Sequence, residues 1–413
     1  MLTFRELLFS ALVMSVITSC TSPTNSSVVS SSNGIIDINI TKALKESKDF
    51  ALSEIIKDVE FVTLESTVES YFTFSTRIQV TENYIMVVGD MENRLLLFDR
   101  TGKFIRQLGR IGQGPGEYIN PRHATMDPNE QFIIIKDMGY KLIKIDLQGR
   151  YIKQRNIQSE CKSSIDAPPF FLDEAHFAFV FNRPRAPIDG YHRVSVYDSE
   201  LILVEEMLPV ANNDSLCLRR IDVPFMSSFQ SSSYFFEGFT DTIFSINVGS
   251  NPKAKYHFSI QDNPYTLEHQ TAGNSPNTNR DFTRVFRVLE LSDYLLITVL
   301  TDENFVMLYD KEKKEAYLPI EGIKCDTSTR RPSTSHYIQN DLFGYNKLGL
   351  TNYQPDQNII VSQIHLERIS DRIDLECLTR KKVKYPRKRD QLTDMIERST
   401  GEELPLIVIM TVK

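Results

Sequence analysis

The sequence predicts an all-β chain closed into a ring, a six-bladed β-propeller of four-stranded antiparallel blades, and three observations predict it. Short alternating apolar runs begin near residue 77 and are broken by turn residues every eight to twelve positions, the pattern of a sandwich, barrel or propeller. A unit then repeats without a gap. YIMVVGDMENRLLLFDRTGKFIRQ (84–107) lies over FIIIKDMGYKLIKIDLQGRYIKQ (132–154) with their last residues aligned, an offset of 47 residues, so that Asp90 meets Asp137 and Gly102 meets Gly149. A period of roughly 40 to 50 residues is that of propeller blades. Finally, apolar strands stand at both ends, VEFVTLE at 59–65 and LPLIVIMTV at 404–412. Placed in one blade they close the ring and remove exposed edges that would otherwise template aggregation.

Taken from the N-terminus, the first element is an address. Arg5 precedes an apolar run from Leu7 to Val16 that is too short to span a bilayer and reads as an export signal, residues 1–19. Ile17-Thr18-Ser19-Cys20 resembles a bacterial lipobox, in which the cysteine is lipidated and becomes the new N-terminus, so Cys20 is the expected lipidation site. The Ser/Thr/Asn-rich stretch that follows, 20–36, reads as a flexible tether. It lacks an acidic cluster after Cys20, which favours an anchor facing the periplasm over one at the cell surface.

The propeller is expected over 37–413. Each unit reads as strand, Asp-containing turn, strand ending in an aromatic or aliphatic residue plus Asp, tight Gly turn, and outer strand. Third-strand anchors at Phe98, Ile145, Tyr197, Phe244 and Tyr309 fall 47, 52, 47 and 65 residues apart, the last step lengthened by a polar insertion. Five blades are visible in this way. For the sixth, YIQNDLFG (337–344) and NIIVSQI (358–364) are expected to supply the inner strands, the C-terminal run the third and 59–65 the outer edge. Residues 364–398 read as a helical, basic insertion before the last strand.

FALSEIIKDVEFVTLES near the start, the GQGPGEY loop, DTIFSI, YIQNDLFG and the terminal LPLIVIMTVK together resemble the six-bladed β-propeller lipoproteins of Bacteroides-type bacteria, whose repeats are NHL-like. The resemblance spans residues 36–413. It implies a six-bladed fold and an envelope location, and it brings neither a reaction nor catalytic residues.

Candidate chemistry is sparse. GRIGQGPGEYINP (109–121) carries four glycines in eight positions, yet it fits neither GxxxxGK[ST] nor GxGxxG and no helix pattern follows. It reads as the strap from the outer strand of one blade to the innermost strand of the next. Its neighbours Arg110, Tyr118, Arg122 and His123 are expected on the open face, with Arg219-Arg220 and Arg330-Arg331 at the corresponding connectors and Arg183 and Arg185 on a same-face turn. Converging guanidiniums suit an anionic ligand, because the planar fork binds carboxylate, sulfate or phosphate bidentately; pairing with nearby carboxylates is the plainer alternative. Asp99, Asp146, Asp198 and Asp310 recur at one blade position, which argues for a turn-capping role.

No catalytic set emerges. The histidines form no HxxxH or HExxH pair, although His123 and His336 fall near inner-strand starts, and no CxxC spacing marks a zinc site. Cys161, Cys217, Cys325 and Cys377 leave disulfide pairing open. The formal charge of −7 gives no overall attraction to nucleic acid, and the basic run Arg380 to Arg389 reads as a solvated helical face. The expectation is a monomeric envelope lipoprotein, without cofactor or metal, that binds an anionic glycan, a peptide or an envelope protein. A propeller hydrolase or lyase and a structural subunit of an envelope complex are the alternatives.

Overall fold

Six small antiparallel sheets stand in sequence order around a central axis in the computed structural model. It describes residues 34–413 apart from 74, 76, 90, 138–139, 159–166, 182–191, 210–224, 231, 237–240, 266–281, 302–303, 321–324, 326–337, 351, 371 and 401–402. Blade I runs Arg77–Val80, Tyr84–Gly89, Arg94–Asp99 and Phe104–Gln107. Blade II runs His123–Met126, Phe132–Lys136, Lys141–Asp146 and Tyr151–Asn156, and blade III Phe170–Phe171, His176–Val180, His192–Asp198 and Leu203–Pro209. Blade IV is Phe225–Phe229, Ser232–Phe236, Thr242–Asn247 and Ser250–Ser259. Blade V is Arg284–Glu290, Tyr294–Leu300, Asn304–Asp310 and Glu315–Pro319. Blade VI combines both ends of the fold: Tyr353–Gln354, Ile359–Ile364, Leu406–Val412 and, outermost, Ile56–Val62.

The apolar runs are continuous because every blade is covered on both faces. Successive side chains of a strand point to opposite faces. In Tyr84–Gly89, Ile85 and Val87 accordingly join the core shared with blade VI, while Met86 and Val88 join the core shared with blade II. Four further cores fill the remaining seams: II with III, III with IV, IV with V and V with VI. Six cores between six blades close the ring.

The recurring aspartates cap the turn after the third strand. Asp99 Oδ1 accepts from the Thr101 and Lys103 amides at 2.9 and 3.0 Å, and Asp146 Oδ1 from Gln148 and Arg150 at 2.9 and 2.8 Å. Asp198 and Asp310 repeat the arrangement.

Two expectations are corrected. The innermost strand of blade VI is Tyr353–Gln354, not 337–344; Asn340 Oδ1 accepts from the Leu342 and Phe343 amides and folds that segment into a turn. The outer strand is Ile56–Val62 rather than 59–65, since Val412 pairs with Ile56 and Ile407 with Val62. An addition precedes it. Ile36–Asn39 pairs in parallel with the outer strand of blade IV and Ser47–Lys48 with that of blade V, so the chain runs along two blade edges before entering the sixth. This belt buries Ile38 and Ile40 in the seam of blades IV and V, and Phe50 and Leu52 in that of V and VI.

Three helices, Leu366–Ile369, Leu375–Arg380 and Pro386–Glu397, form the insertion before the last strand. Leu392 and Ile396 anchor it in the core of blades V and VI, while Lys382, Lys384 and Arg387 remain exposed. A disulfide between Cys325 and Cys377 ties it to the connector after blade V; Cys161 and Cys217 lie outside the described residues.

Candidate functional site

The innermost strands carry polar and partly exposed residues because one side faces the axis instead of a neighbouring sheet. Phe225–Phe229 is partly exposed at every residue, as are Phe170–Phe171 and Tyr353–Gln354. Together the six strands enclose an axial cavity of about 460 Å³.

Side-chain amides stitch the wall of this channel. Gln79 of blade I donates to the Met126 carbonyl and accepts from the Met126 amide of blade II, both at 2.9 Å. Gln354 of blade VI does the same for blade I, accepting from the Val80 amide at 2.7 Å and donating to the Ile78 carbonyl at 2.9 Å. These contacts replace a backbone ladder between strands that diverge from the axis, and they consume the polar atoms involved.

The charged groups are a different case. Arg77 donates to Thr125 Oγ1 at 3.0 Å, and that hydroxyl donates to the Pro169 carbonyl at 2.7 Å, a relay across blades I, II and III. Burial pushes the Arg77 guanidinium down to about 10. Arg287 lies on the innermost strand of blade V, its guanidinium 5.8 Å from the centroids of Phe225 and Phe286, and burial lowers it as well. Neither forms an ion pair with a described residue. Asp356, on the turn Pro355–Gln357 that also lines the cavity, has its carboxyl raised by burial. Both arginines keep partial exposure to the channel, and a guanidinium partly withdrawn from water without a carboxylate is stabilised by an anion with hydrogen-bonding oxygens.

Of the residues singled out from sequence, Arg122 and His123 line the channel at the start of the innermost strand of blade II. In a ring of six, blade II stands opposite blade V, so these two groups face the wall that carries Arg287. Arg110 is exposed in the short strand Arg110–Ile111, which pairs in parallel with Glu117–Tyr118, and it does not line the channel. Tyr118 corrects the open-face expectation. It is fully buried in the core of blades I and II, donates to the Leu108 carbonyl at 2.8 Å, and burial pushes its hydroxyl up to about 12.

The reason is the strap itself. Gly109 has φ +68°, and a Cβ there would stand 2.8 Å from the Tyr118 ring, so the glycine makes room for the tyrosine underneath. Asp137, 1 % exposed, accepts from the Ile119 and Asn120 amides and fastens the far end of the strap. The glycines serve chain path and packing, as read. Cys20, Arg183, Arg185, Arg219, Arg220, Arg330, Arg331 and His336 lie outside the described residues. No cluster of metal-ligating side chains occurs among the described residues.

Arg77 and Arg287 were missed by sequence reasoning. The available signal was a charge inside each of two β-runs, RIQV and RVFRVLE, that precede a recognisable three-strand unit.

Residues 35–411 match the family described as Domain of unknown function (DUF4934). The chain belongs to that family. It is similar in structure to a presumed exported protein of Bacteroides fragilis, at 16% identity and a TM-score of 0.65, over 92% of this chain and 99% of that one. It is also similar to a member of the DUF4221 family from Bacteroides vulgatus, at 8% identity and a TM-score of 0.51, over 87% and 97%. These likenesses concern the fold. No curated protein matches the chain.

Proposed function

We propose that this DUF4934 propeller is an exported, lipid-anchored envelope protein that binds an anionic ligand in its axial channel without transforming it. One observation carries the binding reading: Arg77 and Arg287 face one cavity from different blades, and neither has a described carboxylate as its partner. Such charges are expensive to keep in a wall that serves only packing. Arg122 and His123 line the same channel from blade II.

Export is supported by the signal-like segment ending at Cys20, by the presumed exported character of the Bacteroides fragilis relative and by the Cys325–Cys377 disulfide, a bond of oxidising compartments. Metabolic palmitate labelling of the parent and of Cys20→Ala tests the anchor. For the site, isothermal titration with sulfate, phosphate and small carboxylates is expected to give saturable binding that Arg77→Met and Arg287→Met each weaken at least tenfold. Equal affinity in the parent and both variants overturns the assignment.

A further inference from the structure

A second cavity of about 300 Å³ adjoins the first. It lies at the seam of blades V and VI, walled by Leu52 of the belt, Leu289, Leu296 and Val306 of blade V, and Ile338 and Leu348 of the connector. Its origin is topological. The innermost strand of blade VI is only two residues long, so it leaves the inner part of this seam to be covered by the connector. Thr298, Asn340, Asn346 and Lys347 also line it; Asn340 serves the Leu342, Phe343 and Tyr345 backbone, the Gly349 amide donates to Ser362 Oγ, and Asn346 and Lys347 have partners of their own. The aliphatic side of this space, from Leu52, Leu289, Leu296, Val306, Ile338 and Leu348, offers water few partners and favours an apolar occupant.

Arg287 and Leu289 line both cavities. They stand two residues apart on the same face of one strand, opposite Thr298 and Leu296. A charge that suits an anion thus stands beside an aliphatic recess.

Resting on the anion-site reading above, we infer that the ligand is an anionic amphiphile. Its carboxylate, sulfate or phosphate head is held in the axial channel by Arg77 and Arg287. Its aliphatic part enters the recess between blades V and VI, whose volume of about 300 Å³ far exceeds the ~30 Å³ share of one water molecule. Arg287 selects the head group, and the recess selects chain length.

The test is a calorimetric series on the full chain with inorganic sulfate, butyrate, hexanoate, octanoate and decanoate, all below their micellar concentrations. The expected result is affinity rising by about fourfold per methylene through the series, the equivalent of about 0.8 kcal/mol. Leu348→Trp, which fills the recess, is expected to flatten the series while leaving sulfate and butyrate binding intact. Val306→Phe does the same from the opposite wall should the first variant fold poorly. If sulfate and all the carboxylates bind alike, the channel is an anion site and the amphiphile inference fails alone. If chain-length dependence survives both filled recesses, the tail lies elsewhere and the inference fails. If none of the anions binds, the channel reading itself falls and takes the inference with it.

Discussion

Replacing Arg77 by methionine separates a ligand-binding arginine from a structural one. The substitution keeps most of the side-chain volume and removes the charge. Burial lowers the guanidinium from 12.5 to about 10, a difference worth about 3 kcal/mol against the charged form. Discounted for the water that an open channel admits, the charge costs about 1–2 kcal/mol. Against this stands the hydrogen bond to Thr125 Oγ1, worth about 1 kcal/mol net, and the hydroxyl keeps its bond to Pro169 when the arginine is gone. Arg77→Met is therefore expected to be neutral or stabilising by about 1 kcal/mol in low-salt buffer free of oxyanions, a rise of zero to about 3 °C in Tm. The lowered value still lies far above neutrality, so this difference should not change between pH 6 and 8. Sulfate is expected to raise the Tm of the parent and not that of the variant. Scanning calorimetry in the two buffers reads both effects. A variant destabilised by more than about 1 kcal/mol without anion, or stabilised by sulfate as much as the parent, would refute the reasoning.

Three further outcomes follow from other parts of the molecule. Asp241, whose Oδ1 is buried without a hydrogen-bond partner, is pushed up to about 7 by burial. A carboxyl raised in the folded state holds its proton longer there than in the unfolded chain, so stability present at low pH is lost as pH rises from about 4 through about 7; the Tm advantage of Asp241→Asn should grow across that window and flatten above it. Cys325→Ser opens a bridge spanning 52 residues, and denaturant unfolding is expected to register a loss of about 2–4 kcal/mol, whereas an unchanged midpoint would mean that the insertion holds by packing alone. Gly109→Ala combines φ +68° with a 2.8 Å approach to Tyr118 and should cost about 1–3 kcal/mol, read as a lowered Tm with altered tyrosine fluorescence.

What was legible in the sequence, and what was not, divides along the radius of the disc. Second and third strands are covered by neighbours on both faces, so Ile85, Met86, Val87 and Val88 are all apolar and the run announces itself. The capping aspartates were legible for a related reason: a residue repeated at one blade position serves the blade. Innermost strands carry no such signature. Tyr353–Gln354 and Phe170–Phe171 are two residues long and partly exposed to the channel, and Arg77 and Arg287 interrupt two of the others. The residues that a ligand would meet thus lie where hydrophobic patterning is weakest. Tyr118 failed for a different reason. Its neighbour Glu117 stays partly exposed, while Tyr118 turns under the strap into space that Gly109 leaves open, and a strap's sequence does not say which side chain lies underneath. The belt was illegible because Ile36–Asn39 and Ser47–Lys48 are too short for periodicity; only their partners on blades IV and V define them as strands.

The central claim is that the axial channel is an anion site built by Arg77 and Arg287. Anomalous diffraction from crystals soaked in selenate tests it directly, because the scatterer reports where the anion sits. The account predicts a peak in the channel within hydrogen-bond distance of both guanidiniums, absent from crystals of the Arg77→Met, Arg287→Met double variant. Selenate bound only on the outer surface, or a peak in the channel that persists in the double variant, would contradict it.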